Sequence, residues 1–177
     1  MYKSWQEPMP EGWQRWVFDQ HGMPYDTLHD ADIQGGVLSD YDVLIFQAQS
    51  ASSILRGHDP ARMPEPYAGG LGDAGAEAVR AFVEGGGRVV AIEAATDFVR
   101  DLFDLGVTDL TDALPNTEFY IPGSILRLEI DPGSELSEGM RSETSAWYWR
   151  SSMAYEVDDP RVRVAARYAS GDPLLSG

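Results

Sequence analysis

The 177-residue chain contains no cysteine. That absence removes disulfides, thiolate metal sites and thiol catalysis together. It leaves the compartment open. Histidine is scarce, with only His21, His29 and His58, and none follows in the rest of the chain. Basic residues are few: 13 Lys and Arg stand against 29 Asp and Glu, a formal charge of −16. Such a chain repels phosphate backbones, so nucleic acid is set aside as a partner. The acids are spread along the chain, and no acidic tail accounts for the imbalance. No run of about 18 apolar residues occurs, so no membrane span is expected. The opening residues lack the basic-then-apolar pattern of a signal peptide.

What is present is ordinary for a globular protein: 43% apolar and 24% charged residues. The length suits a single domain over 1–177 with a real core. Both ends read as cut, as in a fragment of a longer polypeptide. The most informative stretch runs from Gly85 to Asp97. It reads as a helix end, a buried strand Val89–Ile92, then a tight small-residue turn into a helix. In many α/β enzymes such a turn holds the nucleophile. Here it offers Glu93, Ala94, Ala95 and Thr96.

Tyr2 to Trp5 reads as the end of a first strand. Pro10 sits near a favoured first-turn position, Trp13, Trp16, Val17 and Gln20 recur at helical spacing, and Gly22 is a stop. Pro24 to Leu28 reads as a short strand, and Asp30 to Gly36 as a turn or one helical turn. Asp42 to Gln47 is a near-continuous apolar run, as in a strand covered on both faces. Residues 48–72 read as a long Pro/Gly loop, a kind that is often functional. Asp73 is expected to cap a helix whose apolar face is Ala76, Val79, Phe82 and Val83. Thr96 to Phe103 is the next helix. Leu126, Leu128 and Ile130 alternate with charged residues, and so do Val162, Val164, Ala166 and Tyr168. Both patterns mark half-buried strands.

This order predicts an α/β fold: a mostly parallel sheet with helices on both faces and antiparallel edge strands toward the C-terminus. Ligands in such sheets bind beyond the carboxyl ends of the strands. That rule gathers Ser4 to Met9, Gln47 to Ser53, and Glu93 to Asp97 at one rim.

Val89-Val90-Ala91-Ile92-Glu93-Ala94-Ala95, after a Gly-terminated helix, resembles the elbow of class I glutamine amidotransferase-like domains. The resemblance implies a three-layer flavodoxin-like architecture. Active relatives carry Cys in the elbow slot, and trehalose-utilisation-type relatives often carry His. Here Glu93 fills it. The later His and Glu partners have no match, so ammonia-generating chemistry is not implied. A wider resemblance rests on Tyr2-Lys3-Ser4-Trp5, Glu11-Gly12-Trp13-Gln14-Arg15-Trp16, the segment Met63 to Gly72, and the segment Glu118 to Leu126. These look like the amidotransferase-like region that follows the peptidase domain in large bacterial zinc carboxypeptidases. The resemblance implies export to the periplasm or beyond, with the peptidase domain of the same polypeptide as partner. It places zinc in that peptidase domain. No cofactor and no metal ligand set is expected in this chain, since none of its histidines opens a His-x-x-Glu motif.

Glu93 is thus the candidate catalytic residue, as general base or ligand anchor; equally, it is a rim carboxylate satisfied by the next helix. Gln47, Gln49, His58, Thr96 and Asp97 are ligand-binding candidates, though Thr96 and Asp97 also fit helix capping. His29, Asp30 and Asp32 could suggest a metal but suit a turn or cap. Gly69-Gly70-Leu71-Gly72 could cradle phosphate, yet lacks the Lys-Ser/Thr that follows in such loops. Trp147, Tyr148 and Trp149, with Arg150, form an aromatic patch. If extended, Trp147 and Trp149 share one strand face and Tyr148 the other. The expected function is a non-catalytic accessory domain that supports the peptidase domain or its substrate binding. The alternative is a small-molecule enzyme or carbohydrate-binding domain using the rim around Glu93 and His58. Self-association through edge strands and aromatics is a third possibility.

Overall fold

The computed structural model describes residues 1–112, 114–149 and 153–177. They form a mixed helix-and-strand α/β chain with several small sheets. The chain divides into two compact units, Met1–Asp104 and Leu105–Gly177.

In the first unit, Pro10 lies in the first turn of α1, Met9–His21. Gly22 ends that helix at φ 60°, a left-handed conformation glycine adopts at little cost. The Trp13–Trp16–Val17 spacing does make one helix face, but that face is exposed. The residue α1 buries is Glu11, 1% exposed and bonded to Arg15 Nε at 2.7 Å. A buried carboxylate needs such a partner.

Asp30 opens α2, Asp30–Gln34, and the Asp32 carboxylate accepts the His29 N–H at 2.8 Å. These residues therefore take the capping role. A short 3₁₀ turn, Val37–Asp40, leads to β1, Val43–Phe46. The expected 48–72 loop contains a helix, α3, Ala51–Arg56. Ser50 caps it by accepting the Ser53 N–H at 3.1 Å, a signal the Pro/Gly count outweighed. Helix α4 spans Gly72–Glu84, and Leu71 rather than Asp73 holds the cap position, without a side-chain bond. Strand β2, Arg88–Ala91, and helix α5, Ala95–Phe103, follow.

Strands β1 and β2 pair in parallel from Val43↔Arg88 to Phe46↔Ala91. The Tyr2 N–H donates to the Ile45 carbonyl at 2.9 Å, and Tyr2 makes a parallel bridge with Leu28. The lateral order is therefore Leu28, Tyr2, β1, β2. The expected Pro24–Leu28 strand shrinks to that single bridge at Leu28. Phe46 is the hub of the core. Its ring lies 5.1 Å from Tyr2 and 5.2 Å from Phe98, and all three are buried. Ile33, Leu44, Ile54, Leu71 and Val79 complete the cluster. Each such side chain contributes about 1.5–3 kcal/mol when fully buried.

In the second unit, β3 (Val107–Asp109) pairs antiparallel with a later strand. Strand β4, Gly123–Ile130, is the centre of a larger sheet. It pairs antiparallel with β5, Glu143–Trp149, from Gly123↔Trp149 to Glu129↔Glu143. The partner of β3 is β6, Tyr155–Val157. Strands β7, Ala166–Tyr168, and β8, Leu174–Ser176, also pair with β4. The strand expected from Val162 is thus confined to 166–168. Before it the chain turns at 160–161, where Asp159 accepts the Arg161 N–H at 2.9 Å and pairs with its guanidinium.

Among the described residues, β1 and β2 pair in parallel in the first unit, and the strands after Asp104 pair antiparallel. The α/β class and the antiparallel strands toward the C-terminus are as expected, but the sheets are small.

Candidate functional site

The rim beyond β1 and β2 is built from three chain crossings. After β2, Ile92 N–H still reaches the Phe46 carbonyl at 3.0 Å. The backbone then turns sharply. Glu93 adopts φ 50°, one of two non-glycine residues with positive φ among those described; the other is Asp104 at a helix end. An L-residue loses about 1–2 kcal/mol in the left-handed region, so the fold must hold it there. The hold comes from the next turn. Ala95 N–H donates to Ile92 O at 3.2 Å, Thr96 N–H to Glu93 O at 2.9 Å, and Thr96 Oγ1 to the same oxygen at 2.6 Å. Ala95 is fully buried against the core, so only a small residue fits behind the turn. The Glu93 side chain is exposed. Asp97 stands in the first turn of α5, where the helix dipole favours an acid, and pairs with Arg100 at 3.5 Å.

After β1, the chain delivers Gln47 and Gln49, both buried. Gln47 Nε2 donates to Gln14 Oε1 at 3.1 Å. Gln49 Nε2 donates to Ser4 Oγ at 3.0 Å and to the Gln6 carbonyl at 3.2 Å. Gln6 N–H bonds the same Ser4 Oγ, and Gln6 Nε2 reaches the Gly57 carbonyl at 2.7 Å. His58 Nε2 lies 3.1 Å from the Trp5 carbonyl. Trp5 stacks on His29 at 3.8 Å and meets Tyr67 edge-on at 4.8 Å. Two of the three expected segments, Ser4 to Met9 and Gln47 to Ser53, are therefore bonded to each other, and Gln47, Gln49 and His58 bond to the 4–14 segment.

The network Ser4–Gln6–Gln49 and the pair Glu11–Arg15 were not singled out from sequence. The second was visible as an i, i+4 pair. The first was not, because its partners are 45 residues apart in the chain.

In the Gly69–Gly72 turn two amides are used internally: Gly69 N–H donates to His58 O at 2.8 Å, and Leu71 N–H to Ile54 O at 2.9 Å. Among the described residues, no group of three or more His, Asp and Glu side chains is placed to hold a metal ion. None of their helices is long and apolar enough to cross a membrane. A cleft of about 470 Å³ lies at the opposite, amino-terminal ends of β1 and β2, lined by Leu38, Tyr41, Phe82 and Gly87 among others.

Beneath the rim, the Tyr2 hydroxyl donates to Asp30 Oδ1 at 2.6 Å. Burial raises the Asp30 pKa, and the Tyr2 hydrogen bond opposes that rise. In the second unit a cleft of about 630 Å³ is lined by Val107, Leu128, Tyr155 and Tyr168 among others. Burial pushes Tyr168 up to about 12.

No protein-family model matches the chain, and no curated protein matches it. The site itself therefore carries the functional argument.

Proposed function

We propose that this chain is a non-catalytic, amidotransferase-like accessory domain of an exported zinc carboxypeptidase-type protein. One observation carries the reading: the left-handed backbone at Glu93, between a parallel strand and a helix. A strained strand-to-helix turn lifts the nucleophile above the sheet in α/β-hydrolases, and the turn at Glu93 resembles the elbow of amidotransferase-like domains. Here the turn is retained and an exposed carboxylate occupies its tip. A carboxylate in this slot has no neighbouring Cys or downstream His to work with, since the chain has neither. The lateral order Leu28, Tyr2, β1, β2 supports a flavodoxin-like arrangement for the first unit.

The rival reading, a small-molecule or carbohydrate site at the rim, needs Gln47, Gln49 and His58 free to meet a ligand. Their bonds to Gln14, Ser4, Gln6 and Trp5 favour a closed, structural rim instead. The domain's work is then to pack beside the peptidase domain of the same polypeptide, in the periplasm or outside the cell. Zinc belongs to that peptidase domain.

The test is immunological. Antibody raised against the purified chain is used to precipitate from periplasmic and culture fractions. A chelator-sensitive carboxypeptidase in the precipitate is the expected result. A precipitate without peptidase activity, from a cytoplasmic fraction, overturns the reading.

A further inference from the structure

The β4–β5 ladder has two unlike faces. On one, Leu126, Ile130 and Tyr148 are buried. The other faces solvent and carries Trp149 opposite Gly123, Trp147 opposite Ile125, and Ser145 opposite Arg127. Trp147 is 66% exposed and Trp149 45% exposed, which is uncommon for the largest apolar side chain. Their rings lie side by side, with centroids 5.9 Å apart and planes tilted by 37°.

The platform is held in place rather than merely exposed. A Cβ on Gly123 would come within 2.9 Å of the Trp149 ring, so the indole lies directly on glycine backbone. Behind it, Tyr148 anchors the same strand in a cluster with Phe119 at 6.2 Å and Tyr168 at 5.8 Å. The next row toward the other end of β5 is polar. Arg127 Nη1 pairs with Glu143 Oε2 at 3.7 Å, and Ser145 stands beside them. Glu129 faces Glu143 on one side and Arg167 on the other. Two arginines and two glutamates thus balance on this face, in a chain of net charge −16.

We propose that this outer face binds an uncharged oligosaccharide of pyranose rings. The indoles would stack on the C–H faces of successive sugars, and the Arg127–Glu143–Ser145 row would hydrogen-bond their hydroxyls. The balanced charge selects a neutral ligand, because the protein's overall field opposes acidic glycans and phosphates. The 37° tilt selects a twisted, soluble chain over a flat crystalline surface, which could touch only one ring at a time. The site uses none of the rim around Glu93, so it stands or falls apart from the accessory-domain reading.

The test is a tryptophan-fluorescence titration of the full chain with cellohexaose, xylohexaose and chitohexaose, alongside a pull-down on crystalline cellulose. Saturable binding of at least one hexaose is expected, insensitive to added salt, with no retention on crystalline cellulose. Trp147→Ala and Trp149→Ala should each weaken binding about fivefold, which is about 1 kcal/mol. Trp13→Ala, on the exposed face of α1, should leave it unchanged. Circular dichroism confirms that each variant is folded. The proposal is overturned if no hexaose binds at millimolar concentration, or if binding survives the double variant. It is equally overturned if Trp147→Ala instead abolishes self-association of the chain.

Discussion

The Thr96 hydroxyl donates to the Glu93 carbonyl at 2.6 Å, tying the first turn of α5 to the one left-handed residue of the elbow. This bond and the Thr96 N–H bond to the same oxygen hold the turn closed. Glycine at 93 removes the Cβ strain at the cost of a more flexible unfolded chain. Glu93→Gly should therefore gain about 0.5–1 kcal/mol in urea unfolding. Glu93→Val, β-branched, should lose about 1 kcal/mol or more. Thr96→Val should lose about 1 kcal/mol. Equal stabilities for Glu93→Gly and Glu93→Val would remove the strained elbow from the account.

Gln49 is buried with its amide shared between Ser4 Oγ and the Gln6 carbonyl. Leucine fills the same space, leaves the Gln6 carbonyl without this donor and leaves Ser4 Oγ with the Gln6 N–H alone. Gln49→Leu should cost about 1–3 kcal/mol, whereas an exposed, unlinked amide would cost almost nothing. Thermal unfolding of the purified variant distinguishes the two. A loss within experimental error means that the rim is open rather than closed.

Gly57 sits at φ 54°, with the Gly69 carbonyl where a Cβ would be. Gly57→Ala must push the 58–69 pairing apart and should cost about 2–4 kcal/mol. Gly36 has φ 89° but open space around its Cβ position. Gly36→Ala should cost only the backbone strain, about 1 kcal/mol. Limited proteolysis should find new cleavage sites between 58 and 70 in the first variant and none there in the second.

Asp30 has its carboxyl raised by burial above its ordinary 3.8, against the pull of the Tyr2 hydroxyl. The folded state then binds a proton more readily than the unfolded state. Its contribution to stability falls as pH rises from 3.8 through the raised folded value. Asp30→Asn keeps an acceptor for Tyr2 and abolishes this slope. Asp159, held low first by its hydrogen bonds to Arg161, acts with the opposite sign: its contribution is lost as pH falls below the ordinary carboxylate range. Urea midpoints of the parent chain and Asp30→Asn, measured across pH 4 to 7, should converge toward the acid end. A constant difference across that range would contradict the assignment.

Much of the first unit was legible because its signals are local. The apolar run before Gln47, the Gly22 stop and the Gly-terminated helix before β2 each depend on a few neighbouring residues. Trp147 and Trp149 also fall on one face, opposite Tyr148, as alternation predicts. Arg150, read with that patch, lies outside the described residues. What was not legible depends on distant partners. The extent of the parallel sheet rests on which strands find each other, and β4 chose β5, β7 and β8. Helix α1 hides Glu11 and shows Trp13, and its Gln14 accepts from Gln47, 33 residues away, a partner that spacing along the helix cannot reveal. Glu93 was placed in the elbow slot from sequence; its positive φ came only with the structure.

The most direct measurement is turnover at the elbow. The purified chain is assayed for ammonia release from glutamine and for hydrolysis of C-terminal peptide bonds, beside Glu93→Ala. The account predicts no turnover from either protein. Turnover by the parent chain that disappears in Glu93→Ala would contradict it, and would make Glu93 a working catalytic residue.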